Sequence, residues 1–325
     1  MSTAAAPSSG PYLHVNIFTP RIMWEASAAL VPAFIAAWYF FGIPALIITA
    51  WCIGSCMMCE ALLDLTCRRR PRAMDGSAFL TGLLLAFNLP PSTPWYVCVS
   101  GSFVAAVAAK GIFGGLGKNI FNPALAARAF CMAAFPLALG SYSLPVKSFT
   151  SLDAIAAATP LLTLKFRGLD ALVSDCGGNG ALLVQLLTGD RSGCIGETSI
   201  IALCIGGVFL LWRGIISWHI PVSMIAAAGT VALIIGYDPL FALVHILSGG
   251  LVLGAFFMAT DYITSPTYPL GKIIFGAGCG IILMIIRLYG VYPEGCMFSI
   301  LIMNIFSPLI DRLTVPRRYG VNKRN

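Results

Sequence analysis

Ten stretches of this chain are too apolar to face water. They cover roughly residues 23–41, 43–63, 77–89, 94–113, 122–139, 198–212, 215–235, 238–260, 270–290 and 293–311. A helix that crosses a bilayer needs about 20 apolar residues, so this pattern predicts an all-α membrane protein of about ten transmembrane helices. The 325 residues are 58% hydrophobic and 10% charged, where a soluble domain is about a quarter charged. The first residues, "MSTAAAPSSGPYLHVNIFTPR", lack a basic region followed by an apolar run and a small-residue cleavage site. They read as an exposed tail, not as a signal peptide.

Two of the ten spans carry breaks. The third ends in "NLPPSTP", and a double proline cannot continue a helix. The eighth contains "SGG" at residues 248–250 and is expected to bend there. Broken helices survive at membrane depth only where protein or a cavity satisfies the freed backbone.

Basic residues set the predicted orientation. Arg68, Arg69, Arg70 and Arg72 follow the second span, Lys110 and Lys118 the fourth, and Arg213 the sixth. Lys272 follows the eighth span, and "DRLTVPRRYGVNKRN" follows the tenth. With Arg21, fourteen of the twenty basic residues fall on one side if every span crosses once. That side is read as the cytoplasm, with both termini in it. Lys147, Lys165, Arg167 and Arg191 lie in the opposite, outward-facing segment.

Spans one to five and six to ten begin about 160–175 residues apart. "TGLLLAFNLP" weakly matches "SGGLVLGAFFMATD", each in the third span of its half. Five spans per half is odd, so the halves are expected to be inverted repeats, an arrangement that places sites near broken helices. The expected organisation is a tail at 1–22, a first five-helix repeat at 23–139, an outward loop at 140–197, a second repeat at 198–311 and a basic tail at 312–325.

Most of the eleven cysteines lie in apolar spans, where Cys packs as a small hydrophobe. Cys52, Cys56 and Cys59 share a helix face but lack a fourth ligand and a polar shell, so packing and not metal binding is expected. Cys176 and Cys194 flank the long polar loop and could pair on an oxidising side.

Four polar constellations stand out. In "KNIFNPALAARAF", Asn122-Pro123 starts the fifth span and Arg128 lies in its first turns. That arginine either snorkels to the interface or contacts an anion or cofactor. In "GDRSGCIGETS", Glu197 and Thr198 lie at the mouth of the sixth span, with Thr198 or Ser199 a natural cap. In "MATDYITSPTYPLGK", Asp261, Thr264, Ser265 and Thr267 cluster between two spans as a polar connector or a rigid concavity. In "SLDAIAAATP", residues 151–160, Thr159 precedes Pro160 and suits the N-cap of a short helix over about 160–166. The same geometry would place an anion on its Oγ at the positive end of that helix. His14, His219 and His245 are isolated, and no Walker loop or strand-linked GxGxxG provides a dinucleotide site.

"NIFNPALAARAF", "GCIGETS" and "TDYITSPTYPLGKIIFGAGCG", in this order, resemble one family. It comprises the flavin-bearing membrane subunits of two respiratory complexes: the D subunit of the Rnf ferredoxin:NAD+ oxidoreductase and the B subunit of the Na+-translocating NADH:quinone oxidoreductase. The resemblance covers about residues 20–316, and the short N-terminus is more like the D subunit. The family attaches FMN through its phosphate to a threonine in a stretch like D-A-x-S-G-A-T-P-L. Here "DAIAAATPL" places Thr159 at that position and Asp153 at the acid, with Ala156 and Ala157 where Ser and Gly are common.

The resemblance therefore implies covalent FMN on Thr159, with Asp153, Arg128, Glu197 and Thr198 as orienting candidates. Asp261, Thr264 and Ser265 are candidates for a partner, ion or second-flavin contact, since members can also hold a noncovalent riboflavin. Implied partners are a flavin transferase and the membrane and peripheral subunits that carry iron–sulfur centres, a further flavin and the NAD site. No nucleic acid is expected. Two alternatives stay open: the quinone-reductase B subunit, and a small-solute channel or transporter, for which inverted halves with broken spans serve equally well.

Overall fold

Proline and glycine decide where the helices begin and stop. The computed structural model describes residues 19–67, 75–149 and 157–316; Asp153 and the basic run 68–72 lie outside them. Helices α1 (Thr19–Ala29) and α2 (Val31–Phe41) meet at Leu30, with Pro32 in the first turn of α2. Gly42, at φ 65°, separates α2 from α3 (Ile43–Thr66). Helix α4 (Ser77–Phe87) ends just before the double proline, which has no N–H to extend the ladder. Helix α5 (Trp95–Phe103) continues as a π-helical stretch, Val104–Gly111. Asn122 caps α6 (Pro123–Ala134), its Oδ1 accepting from Ala124 N at 3.1 Å. Pro136 then starts α7 (Pro136–Gly140).

Three short helices follow: α8 (Pro160–Arg167), α9 (Leu169–Cys176) and α10 (Asn179–Thr188). Leu164, Leu172, Leu182 and Leu186 form a small core there with Val244. The predicted outward loop is thus a helical layer with its own apolar contacts. A 3-10 turn, Ile195–Glu197, leads to α11 (Ile200–Trp212) and α12 (His219–Gly236). Ser199 is the cap of α11, accepting from Ala202 N at 3.3 Å. Helix α13 (Pro239–Leu247) stops at Ser248, and α14 (Leu251–Leu253) resumes and runs into a π-helical turn, Gly254–Met258. The two pieces differ in direction by 62°. Helices α15 (Pro269–Tyr289) and α16 (Cys296–Thr314) complete the chain. No strand forms among the described residues.

All ten apolar stretches are helical, but their lengths differ. Thr19–Phe41, α3, α12, α15 and α16 are long and apolar enough to cross a membrane, and the bent α13–α14 pair makes a sixth. Ser77–Phe87, Trp95–Gly111, Pro123–Ala134 and Ile200–Trp212 are shorter apolar helices of 10–17 residues. Large apolar side chains such as Ile35, Trp51, Leu62, Phe103, Val208 and Ile285 stay exposed along these helices. This is a multi-pass membrane protein. Helices α12 and α15 pack closely, because Gly276 and Gly280 present backbone to backbone; a Cβ on Gly276 would sit 2.7 Å from Ile220 O.

All eleven cysteines are free thiols. Cys52 and Cys56 are buried and Cys59 partly so, as packing requires. Cys176 and Cys194 are not bonded to each other: Cys176 ends α9, half-buried, while Cys194 is fully buried beside Arg128.

Candidate functional site

The break between α13 and α14 frees backbone groups that a continuous helix would pair. Arginines collect the carbonyls at the end of α13. Arg287 donates to His245 O and to Ser248 O, the latter at 2.9 Å. Arg191 donates to Leu247 O at 2.7 Å and to Glu197 O at 2.6 Å. On the far side of the break, Gly250 N donates to Glu294 Oε1 at 2.7 Å. Cations at a helix C-terminus and a carboxylate at the next N-terminus match the helix dipoles in sign. The glycines make the approach possible. Gly249 has φ 66°, and a Cβ on Gly250 would lie 2.6 Å from Glu294 Oε1.

Arg128 ties this break to the first one. From α6 it donates to Asn88 Oδ1 at 2.8 Å, just past the end of α4, and pairs with Glu294 Oε2. It also reaches Cys194 Sγ at 3.6 Å and lies 3.6 Å from Glu197 Oε1. Its side chain is 3% exposed, so it does not snorkel. The carboxylates and the Asn88 amide replace the water that snorkelling would have sought. Arg128, Arg191, Arg287, Glu197 and Glu294 are all buried. Their formal charges sum to +1 with both acids ionised.

Thr159 stands at the rim of this charge layer. It caps α8, with Oγ1 accepting from Leu162 N at 3.3 Å. Ser192 Oγ donates to Ala158 O, and Ala157 N donates to Tyr142 O at 2.8 Å. Lys165 Nζ donates to Gly290 O, clamping α8 onto the loop that carries Glu294. Burial lowers the Lys165 ammonium. Arg167 turns away and pairs with Asp175. A cleft of about 330 Å³ opens between Thr159, Tyr142, Arg191, Ser192, Glu197 and Glu294.

Burial governs the titration of these loop groups. It lowers Arg191 to about 10 and pushes the Tyr142 phenol upward. Burial, then the facing Glu294 carboxylate, raises Glu197 to about 8. Burial opposes ionisation of Glu294 too, but Arg128, a hydrogen bond shared with Glu197 and the Gly250 N–H overcome it and hold Glu294 low. Thr198 takes no part in the cleft; its hydroxyl donates back to Ile195 O at 3.2 Å.

The second polar region lies around the starts of α4 and α6 and the end of α11. There a cavity of about 810 Å³, including its mouth, is lined by Asp261, Ser77, Lys110, Asn119, Asn122 and many apolar side chains. Lys110 Nζ donates to both oxygens of Glu60, at 2.7 and 2.9 Å, and to Ser77 Oγ at 2.7 Å. Thr264 Oγ1 donates to Asp261 Oδ2 at 3.2 Å, and Ser265 N to Asp261 O at 3.1 Å. Thr264 and Ser265 therefore shape the turn around Asp261 without lining the cavity.

Comparison with known sequences places this arrangement. The sequence pattern of the NQR2, RnfD, RnfE family matches residues 6–320. The chain belongs to that family. It is 46% identical to the D subunit of the Na(+)-translocating ferredoxin:NAD(+) oxidoreductase complex of Acetobacterium woodii, over 97% of this chain and 95% of the relative. It is 43% identical to the D subunit of the proton-translocating ferredoxin:NAD(+) oxidoreductase complex of Clostridium ljungdahlii, over 97% and 96%. It is 39% identical to the D subunit of the ion-translocating oxidoreductase complex of Stutzerimonas stutzeri, over 94% and 93%.

In this member of the family the structure brings Thr159, Arg128 and Glu197 to one end and Asp261 to the other. Sequence reasoning missed Glu294, Asn88, and the pairing of Lys110 with Glu60. The usable signal was charge balance: Arg128 and Arg287 in or near spans demand acids or carbonyls at the same depth. Glu294 opens the tenth apolar stretch, two residues before α16, and is one of few acids able to answer.

Proposed function

We propose that this chain is the D subunit of an ion-translocating ferredoxin:NAD+ oxidoreductase complex and passes electrons through FMN joined by its phosphate to Thr159. Its likeness to three proteins named as D subunits, over nearly the whole length, supports the first part. The geometry of Thr159 carries the second. Its hydroxyl sits at the head of α8, on an open cleft, beside buried residues with surplus positive charge.

Those residues suit a phosphodiester. The positive end of the α8 dipole favours an anion, and the arginine excess lowers the cost of holding it near apolar helices. Bound FMN would supply one- and two-electron redox chemistry. Arg128 acts as a positioning residue, because it holds Glu197 and Glu294 at the cleft and does not itself line it. Asp153 belongs with the transferase-recognition stretch, in which Ala156 and Ala157 must be accepted. Thr198 orients the flavin only indirectly, by fixing the turn that carries Glu197.

In the same reading the ten apolar helices form two inverted five-span halves in a bacterial inner membrane, with both termini in the cytoplasm and Thr159 facing outward. The Asp261 cavity then faces the cytoplasm. Its size and mixed lining suit a noncovalent riboflavin. Other subunits provide the iron–sulfur centres, a further flavin and the NAD site.

In-gel flavin fluorescence of the denatured chain, expressed with a flavin transferase, tests this directly. A fluorescent band that disappears in Thr159→Ala is expected. A dark wild-type band would favour a transport role; fluorescence that survives Thr159→Ala would move the attachment elsewhere.

A further inference from the structure

The Glu197–Glu294 contact has a feature that holding helix ends does not require. Both Glu294 oxygens are committed, one to Gly250 N and one to Arg128. Glu197 lines the Thr159 cleft, and its buried Oε1 accepts no hydrogen bond among the described residues. Cys194 Sγ and one oxygen of each acid lie within 4.8 Å of one another. Two carboxylates this close, out of water, cannot both ionise at low cost. A metal cation would meet Arg128 between the acids, with Arg191 and Arg287 behind them. A proton satisfies the same pair without displacing any of these bonds.

We propose that Glu197 and Glu294 form a carboxyl–carboxylate pair that binds one exchangeable proton, and that this proton is taken up when the flavin on Thr159 is reduced. The inference rests on the reading of Thr159 as the flavin anchor. An electron from a low-potential donor adds one negative charge at the cleft. A proton from water at the cleft mouth then forms an O–H bond on a Glu197 oxygen. Reoxidation passes the electron to the acceptor and returns the proton to water. The groups facing the pair are Arg128 from α6, Tyr142, Arg191 and Cys194 from the loops, Arg287 from α15 and Cys296 from α16. With the cluster at +1, the added electron is attracted, and its field raises the proton affinity of Glu197 by about tenfold or more.

Glu197 already sits at about 8. Below that pH the proton is held in both redox states, so reduction takes up none. Above it, reduction draws the proton in, and the midpoint potential gains a downward slope with pH. The test is a spectroelectrochemical titration of the full chain carrying its covalent flavin, on both sides of pH 8, with dithionite as reductant. Wild type is expected to show a steeper fall above about pH 8 than Glu197→Gln, by up to about 59 mV per pH unit for one proton per electron. Glu197→Asp is expected to restore the slope. Reduced-minus-oxidised infrared spectra at high pH should show a carboxylic C=O band that Glu197→Gln lacks. Flavin-loaded wild type and Glu197→Gln with equal slopes and no carboxyl band would overturn this inference alone. A chain that carries no flavin would overturn the Thr159 reading and this inference with it.

Discussion

The two polar ends of this protein solve the problem of buried charge differently. At the Thr159 end, three arginines and Glu294 serve broken helices: each of these charged groups also satisfies a backbone or side-chain partner at a break. At the Asp261 end, Lys110, Glu60 and Ser77 form a closed set among side chains, beside a larger and mainly apolar cavity. Side-chain pairs can be exchanged for apolar residues of similar volume at little cost. Charges that hold backbone groups cannot, because the orphaned N–H or C=O stays behind. The Thr159 end should therefore be the rigid one.

The largest effect separates the ends directly. Arg128→Met leaves buried acids uncompensated and should cost about 3–5 kcal/mol in thermal unfolding in detergent. Adding Glu294→Leu should not recover the loss, because Gly250 N then has no partner. Lys110→Met should cost a similar amount, but adding Glu60→Leu should recover most of it. Equal recovery at both ends would break the comparison.

Next comes pH. The folded state raises Glu197 from 4.5 to about 8, so it binds this proton more tightly than the unfolded chain does. That contribution to stability is full below 4.5 and is lost as pH rises toward 8, at no more than about 1.4 kcal/mol per pH unit. Glu197→Gln should flatten this part of the stability–pH curve. An unchanged curve would mean that Glu197 is ionised throughout.

Gly250→Ala should cost about 1–3 kcal/mol by overpacking against the acids. It should also weaken flavin attachment, read as fluorescence per chain. Thr159→Ala should cost the least stability, about 1 kcal/mol for the lost cap, while removing all covalent fluorescence. A large stability loss there would mark Thr159 as chiefly structural.

Much of this was legible locally. The double proline after Phe87, the glycine pair at 249–250, Pro123 behind its Asn122 cap and Pro160 behind Thr159 all mark their boundaries in the chain itself. Each acts through neighbours within a turn. Arg128 was visible as an expensive residue, but its fate was not. Snorkelling and pairing differ only in what lies nearby, and its partner Glu294 is 166 positions away. Thr264 and Ser265 looked like cavity residues, yet their bonds fold them back on Asp261.

The amino-acid order alone settled an all-helical membrane chain, the places where helices break, and Thr159 as the cap of α8. Hydropathy, proline geometry and capping are short-range, and one strand of sequence contains them whole. Tertiary structure decided that both breaks meet through Arg128, that Glu197 faces Glu294 beneath Thr159, and that Asp261 lines a separate cavity. Coulombic and desolvation energies depend on distances between groups far apart in the chain, and only packing sets those distances.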